Sequence, residues 1–133
     1  MLTEKDYCDY DTCVVLREVG CRIETEWYIH QPSYERGNCY LCFGIPRETS
    51  VLDECDYIPR LSLYEAQKWL REERGMLLQP TYLELSDEWI CVLRDKNKRH
   101  GYSAQKQKHY EEALSEGIKK AVKILKENET THG

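Results

Sequence analysis

Apolar and polar positions alternate along the chain with two different periods. After Asp11, Cys13, Leu16 and Val19, with Val15 beside them, share one face at helical spacing, and Gly20 stands where such a helix would stop. From Arg22 to His30 the period becomes two. Ile23, Thr25, Trp27 and Ile29 alternate with Arg22, Glu24, Glu26 and Tyr28, which predicts a half-buried strand. Pro32 and Gly37-Asn38 break the chain, and the compact apolar run from Cys39 to Gly44 predicts a second strand that closes a hairpin. Residues 44–60 show no clear period and are expected to form a long connection.

The second half starts more sharply. Ser62 and Glu65 have the spacing of a capping box, in which each side chain satisfies a backbone N–H left without a partner at a helix start. Leu63, Ala66, Trp69 and Leu70 then form an apolar stripe, and Gly75 is placed as a left-handed cap. Strands are predicted at Leu77 to Leu85 and Trp89 to Arg94. The second is apolar on both faces and so central in its sheet, whereas Pro80 puts the first at an edge or a bulge. Tyr110, Leu114, Ile118, Ala121 and Leu125 mark a final helix over about 107–126. The order α-β-β-α-β-β-α predicts one α+β domain over 1–133, an antiparallel sheet with helices packed on one face. Leu16-Arg17-Glu18-Val19-Gly20 echoes the Leu70 to Gly75 segment. The echo fits a duplication of 11–44 in 62–94, and equally the common way in which helices end.

Composition narrows the class. The chain has 133 residues, 32% charged and 41% hydrophobic, a balance that supports a folded core. No stretch approaches the roughly 20 apolar residues of a membrane helix, and the acidic start MLTEKDYCDYD lacks the basic and apolar regions of a signal peptide. A cytoplasmic protein without membrane contact is therefore expected. Seven cysteines without regular spacing predict free thiols that pack as small core groups rather than a disulfide framework.

The net charge of −5 disfavours general nucleic-acid binding, because cationic contacts to phosphate supply most of that affinity. Charge is uneven, however. The segment from Arg94 to His109 carries +5 and the remainder −10.

Two phrases carry a resemblance. Leu63-Tyr64-Glu65-Ala66-Gln67-Lys68-Trp69-Leu70-Arg71-Glu72 with Gly75, and Tyr110-Glu111-Glu112-Ala113-Leu114-Ser115-Glu116-Gly117-Ile118, resemble small uncharacterised proteins common in Bacteroides-type gut bacteria and in their phages and mobile elements. In that group a short N-terminal helix ending in glycine and a hairpin precede the two phrases, so the likeness covers most of the chain. It implies no established activity, cofactor or catalytic residue. The cysteine-rich first half and the basic stretch before Tyr110 depart from the group's pattern.

Candidate chemistry is sparse. Cys39-x-x-Cys42 has the spacing of half a zinc site or a redox pair, but a strand there would turn the two side chains to opposite faces, and no second half follows. Asp9, Asp11, Asp53, Glu54 and Asp56 have no spacing that distinguishes catalytic or metal-binding carboxylates from solvated ones. Neither a phosphate loop nor a nucleophile elbow is present, and the histidines at 30, 100, 109 and 132 are solitary, so no enzyme and no cofactor are implied. A zinc-stabilised module through Cys39 and Cys42 stays a weaker reading beside two binding readings. Tyr7, Tyr10, Tyr28, Tyr34, Tyr40 and Tyr57 crowd the first half, and tyrosine gives large contact area at low entropic cost, which points to a surface for a protein partner or a second copy. Alternatively, Lys96, Lys98, Arg99 and Lys108, with Tyr102 or Tyr110 to stack on a base, could hold a nucleotide or another anion.

Overall fold

A computed structural model describes residues 2–31, 39–45, 57–97 and 101–132, with side chains to 129. Tyr34, Asp53, Glu54, Cys55, Asp56, Lys98 and Arg99 lie outside the described residues. Those described form three α-helices and two three-stranded antiparallel sheets in the order α-β-β-β-α-β-β-β-α.

Helix α1 (Tyr10–Glu18) starts at Asp9, whose carboxylate accepts the Thr12 backbone N–H at 2.8 Å. It buries Cys13 and Leu16 and is followed by Gly20 at φ +107°, after which the Cys21 N–H donates to the Leu16 carbonyl at 2.9 Å. Strand β1 (Trp27–His30) begins five residues later than the alternation predicts. Residues 22–25 have no partner strand among the described residues; the Arg22 guanidinium instead donates to the Arg17 carbonyl at the end of α1, at 2.5 Å.

The first sheet runs β2-β1-β3, with β2 (Tyr40–Phe43) and β3 (Tyr57–Pro59) at its edges. Strand β3 falls within the expected long connection of 44–60. It is only three residues long, and Pro59 sits in it at little cost. The Arg60 N–H donates to the Trp27 carbonyl at 2.9 Å, which makes the neighbouring pair, Pro59 opposite Tyr28, one without ladder bonds.

Helix α2 (Leu63–Arg74) opens on the predicted capping box. Ser62 N–H donates to Glu65 Oε1 at 3.0 Å and Glu65 N–H to Ser62 Oγ at 3.1 Å, and Gly75 closes the helix at φ +65°. The second sheet runs β4-β5-β6, from β4 (Met76–Leu83), β5 (Glu88–Asp95) and β6 (Gly101–Ser103). Pro80 lies on the edge strand and opposite Cys91, again at a pair without ladder bonds. On that same outer side Gln67 of α2 donates to the Leu78 carbonyl at 3.0 Å. Strand β5 is central, but only its Cys91 and Leu93 face is fully buried, while Ile90 is half-buried and Val92 exposed. After β6 the chain bulges by one residue: Ala104 bonds Cys91, whereas Gln107 exchanges both bonds with Trp89.

Helix α3 (Tyr110–His132) closes the fold against β4, β5, α1 and α2. Ala113, Gly117 and Ala121 make a small-residue stripe on its buried side, and Gly117 lies directly over Cys91. One cluster of buried side chains spans α1, β1, β3, α2, β4, β5 and α3, with Leu16, Leu63, Leu70, Leu93, Leu114 and Ile118 near its centre. The expected α+β class with antiparallel strands holds. The described strands form two sheets rather than one, with the first strand of its unit central in one and the second in the other. No helix among the described residues is long and apolar enough to cross a membrane.

Candidate binding groove

A concavity lies between the N-terminal segment, β2 and the first turns of α3. Its near wall is pinned in several places. Cys8 N–H donates to the Leu61 carbonyl at 2.9 Å, Tyr7 bridges to Ser62, and the Arg60 guanidinium lies 3.8 Å from the centre of the Tyr7 ring while bonding Glu4 at 2.5 Å. Lys119 of α3 ties down the start of α1 by its 3.2 Å ion pair with Asp9, and also reaches Glu116 at 3.5 Å. The space enclosed is about 500 Å³, with Tyr7, Tyr10 and Tyr40 among its walls, Cys8 and Ile29 beneath, and Glu111, Glu112 and Ser115 along the α3 side.

The groove is acidic. Glu4, Asp9, Glu111, Glu112 and Glu116 line it against Lys5, Arg60 and Lys119. Glu4, Asp9 and Glu116 are engaged with these cations, whereas Glu111 and Glu112 form no ion pair among the described residues. Burial works to raise the Asp9 carboxyl, but the Thr12 hydrogen bonds and Lys119 outweigh it and hold Asp9 below the ordinary carboxylate value.

Beneath the groove are thiols that no disulfide joins. The Cys8 thiol donates to the Ser62 carbonyl and Cys13 to the Cys8 carbonyl, each at 3.9 Å, and the contact with Cys13 together with burial drives Cys8 far up, keeping it a neutral thiol.

The six tyrosines divide. Tyr7, Tyr10 and Tyr40 meet in the groove. Tyr28 and Tyr57 border a different cleft with Arg17 and Ile23, and Tyr34 lies outside the described residues. Tyr57 is not a surface residue: it is 8% exposed and stacks flat on His30 at 4.2 Å, held by its place opposite His30 in the sheet.

Among the described residues the basic stretch is spread out rather than gathered. Lys96 follows β5 beside Gly75, while Lys108 and Tyr110 adjoin the Trp89 end of the same strand. Seven residues of strand separate Asp95 from Glu88, roughly 23 Å. Tyr110 packs edge-on against Trp89 at 5.3 Å, Tyr102 lies exposed opposite Leu93, and Lys98 and Arg99 lie outside the described residues. The first turn of α3 carries Glu111 and Glu112, so the positive helix end is already met by carboxylates. Cys39 is exposed and Cys42 half-buried on β2, and among the described residues no group of three metal-binding side chains forms.

No family model, curated protein or solved structure matches this chain. The groove was missed from sequence because its walls come from three segments far apart in the chain. The nearest signal was the tyrosine pattern of residues 7, 10 and 40, which named the N-terminal and β2 walls and not the acidic one of α3.

Proposed function

We propose that the protein works by binding a protein partner in this groove, rather than by catalysing a reaction. The observation that carries the reading is the convergence of Tyr7 and Tyr10, from the N-terminal segment, and Tyr40, from β2, on one concavity of about 500 Å³. A tyrosine ring brings large contact area with few rotors to freeze, and a concave, partly apolar wall lets it desolvate. The likeness of the 63–72 and 110–118 phrases to small proteins of gut bacteria, phages and mobile elements supports an accessory role in such an element, in the cytoplasm of a bacterial or phage-infected cell.

Site-specific photo-crosslinking tests this. A photoreactive amino acid replaces Tyr40 in one variant and Tyr82 in another; both rings are exposed, but Tyr82 lies on β4, away from the groove. Ultraviolet exposure in the native host should give a discrete protein adduct at position 40 and none at 82. No adduct at 40, or the same adducts at both, would refute the groove as a partner site.

A further inference from the structure

The groove opens along a sheet edge that no second strand covers among the described residues. Strand β2 ends the order β2-β1-β3, so only β1 pairs with it among the described residues. Antiparallel neighbours alternate between pairs that exchange ladder bonds and pairs that do not. Gly44 N–H donates to the Glu26 carbonyl at 2.8 Å, which in this register makes Cys42 and Tyr40 the bonded partners of β1. The N–H and C=O groups of Leu41 and Phe43 therefore point away from the sheet.

Natural edge strands are commonly blunted by lysine, proline or a bulge. Tyr40-Leu41-Cys42-Phe43 has no charge and no proline, and Leu41 and Phe43 are 50% and 72% exposed. Tyr40 and Leu41 also line the groove, across from Glu111, Glu112 and Glu116.

From this juxtaposition we propose that the partner enters as an extended peptide segment with lysine or arginine at alternate positions, adding a strand to β2. Its backbone would bond Leu41 and Phe43. Every second side chain would then face the groove, because strand side chains alternate with period two. Glu111 and Glu112, carboxylates without a cationic partner among the described residues, receive the basic groups. Charge decides against a second copy of this chain as the occupant. A symmetric β2–β2 pairing would bring two acidic grooves together in a chain of net charge −5, whereas a basic strand neutralises one. The inference rests on the groove reading and specifies its ligand.

The test uses the full chain and an end-blocked ten-residue peptide of alternating arginine and threonine, with a glutamate-threonine peptide as control. Amide hydrogen exchange by NMR should show Leu41 and Phe43 exchanging quickly in the free protein and at least tenfold slower with the arginine peptide. The glutamate peptide should leave them unchanged. Glu111→Gln with Glu112→Gln should weaken binding about tenfold, the size expected for two exposed ion pairs. Binding of the arginine peptide without protection at Leu41 and Phe43 would overturn the proposal, as would equal binding of the two peptides or no binding at all. Protection of the two amides without peptide, rising with protein concentration, would overturn it in favour of self-association. An adduct at position 40 together with failure of the arginine peptide leaves the groove reading standing and removes this one; no adduct removes both.

Discussion

Replacing Gly117 by alanine sets two effects against each other. In an open helix the change would stabilise the protein by about 1 kcal/mol, because alanine restricts the unfolded backbone and favours the helix. Here a Cβ on residue 117 would sit 2.8 Å from the Cβ of Cys91, and closer still to its Sγ. The obstacle is not the end of a flexible chain. Cys91 is fully buried in the central strand β5, and its Cβ is fixed by the backbone. Restoring normal contact requires α3 to move off the sheet by about 1 Å, and gaps of that size forfeit a quarter to a half of each contact's attraction. Leu114, Ile118 and Ala121, all fully buried, lose packing together. A cost of about 3 kcal/mol, the upper part of the range for overpacked cores, outweighs the helical gain and leaves a net loss of about 2 kcal/mol. In a domain of this size that lowers Tm by about 8 °C. Urea unfolding followed by circular dichroism measures it, with Cys91→Gly made alone and in combination. The double variant should recover at least 1 kcal/mol relative to the sum of the single changes. If Gly117→Ala melts at or above the wild-type temperature, the close approach of α3 to β5 is wrong.

Further outcomes follow from the same structure. Asp9→Ala removes the α1 cap and the Lys119 pair and should cost about 1 kcal/mol at pH 7. Because the folded Asp9 carboxyl lies below its ordinary value, its contribution is complete above the unfolded value and lost as pH falls through the folded one. The difference between variant and wild type should therefore shrink on acidification below about pH 4, and a difference constant from pH 7 to pH 2 would count against the ion-pair part. Cys39 is exposed, whereas burial pushes the Cys91 thiol up to about 11. A thiol reagent at pH 8 should modify Cys39 at once and Cys91 only on unfolding; early modification of Cys91, read by peptide mass mapping, would contradict its burial. Gly75→Ala meets only ordinary contacts with Lys96 but imposes φ +65° on an alanine, so it should cost about 1 kcal/mol, with Gly75→Asn costing less. Equal stability of the alanine and glycine forms in a thermal melt would argue against the left-handed cap.

Local signals carried most of the fold. The capping box at Ser62 and Glu65, the stop at Gly75 and the stripe of Leu114, Ile118 and Leu125 act through neighbours a few residues away, so they can be read directly. Strands β3 and β6 escaped because three residues cannot display a period of two, and each exists only through a distant partner, β1 or β5. The alternation from Arg22 to Thr25 misled for the complementary reason: a strand pattern with no partner strand among the described residues remains irregular. Tyr57 looked like a loop residue and is buried, since its environment is set by His30 across the sheet. The groove was partly legible, as the tyrosines of its N-terminal and β2 walls. Its acidic wall, Glu111 and Glu112, read only as favourable charges at a helix start.

Helix α3 packs on elements that all precede it in the chain. During synthesis the second sheet must therefore wait for its cover, and a nascent chain stopped before Tyr110 displays the Leu78, Cys91 and Leu93 side of that sheet to solvent. Such an intermediate is a natural client for chaperones and a ready substrate for proteases. Copies that lack α3 should thus be cleared rather than accumulate, because nothing else in the described fold covers that side of the second sheet.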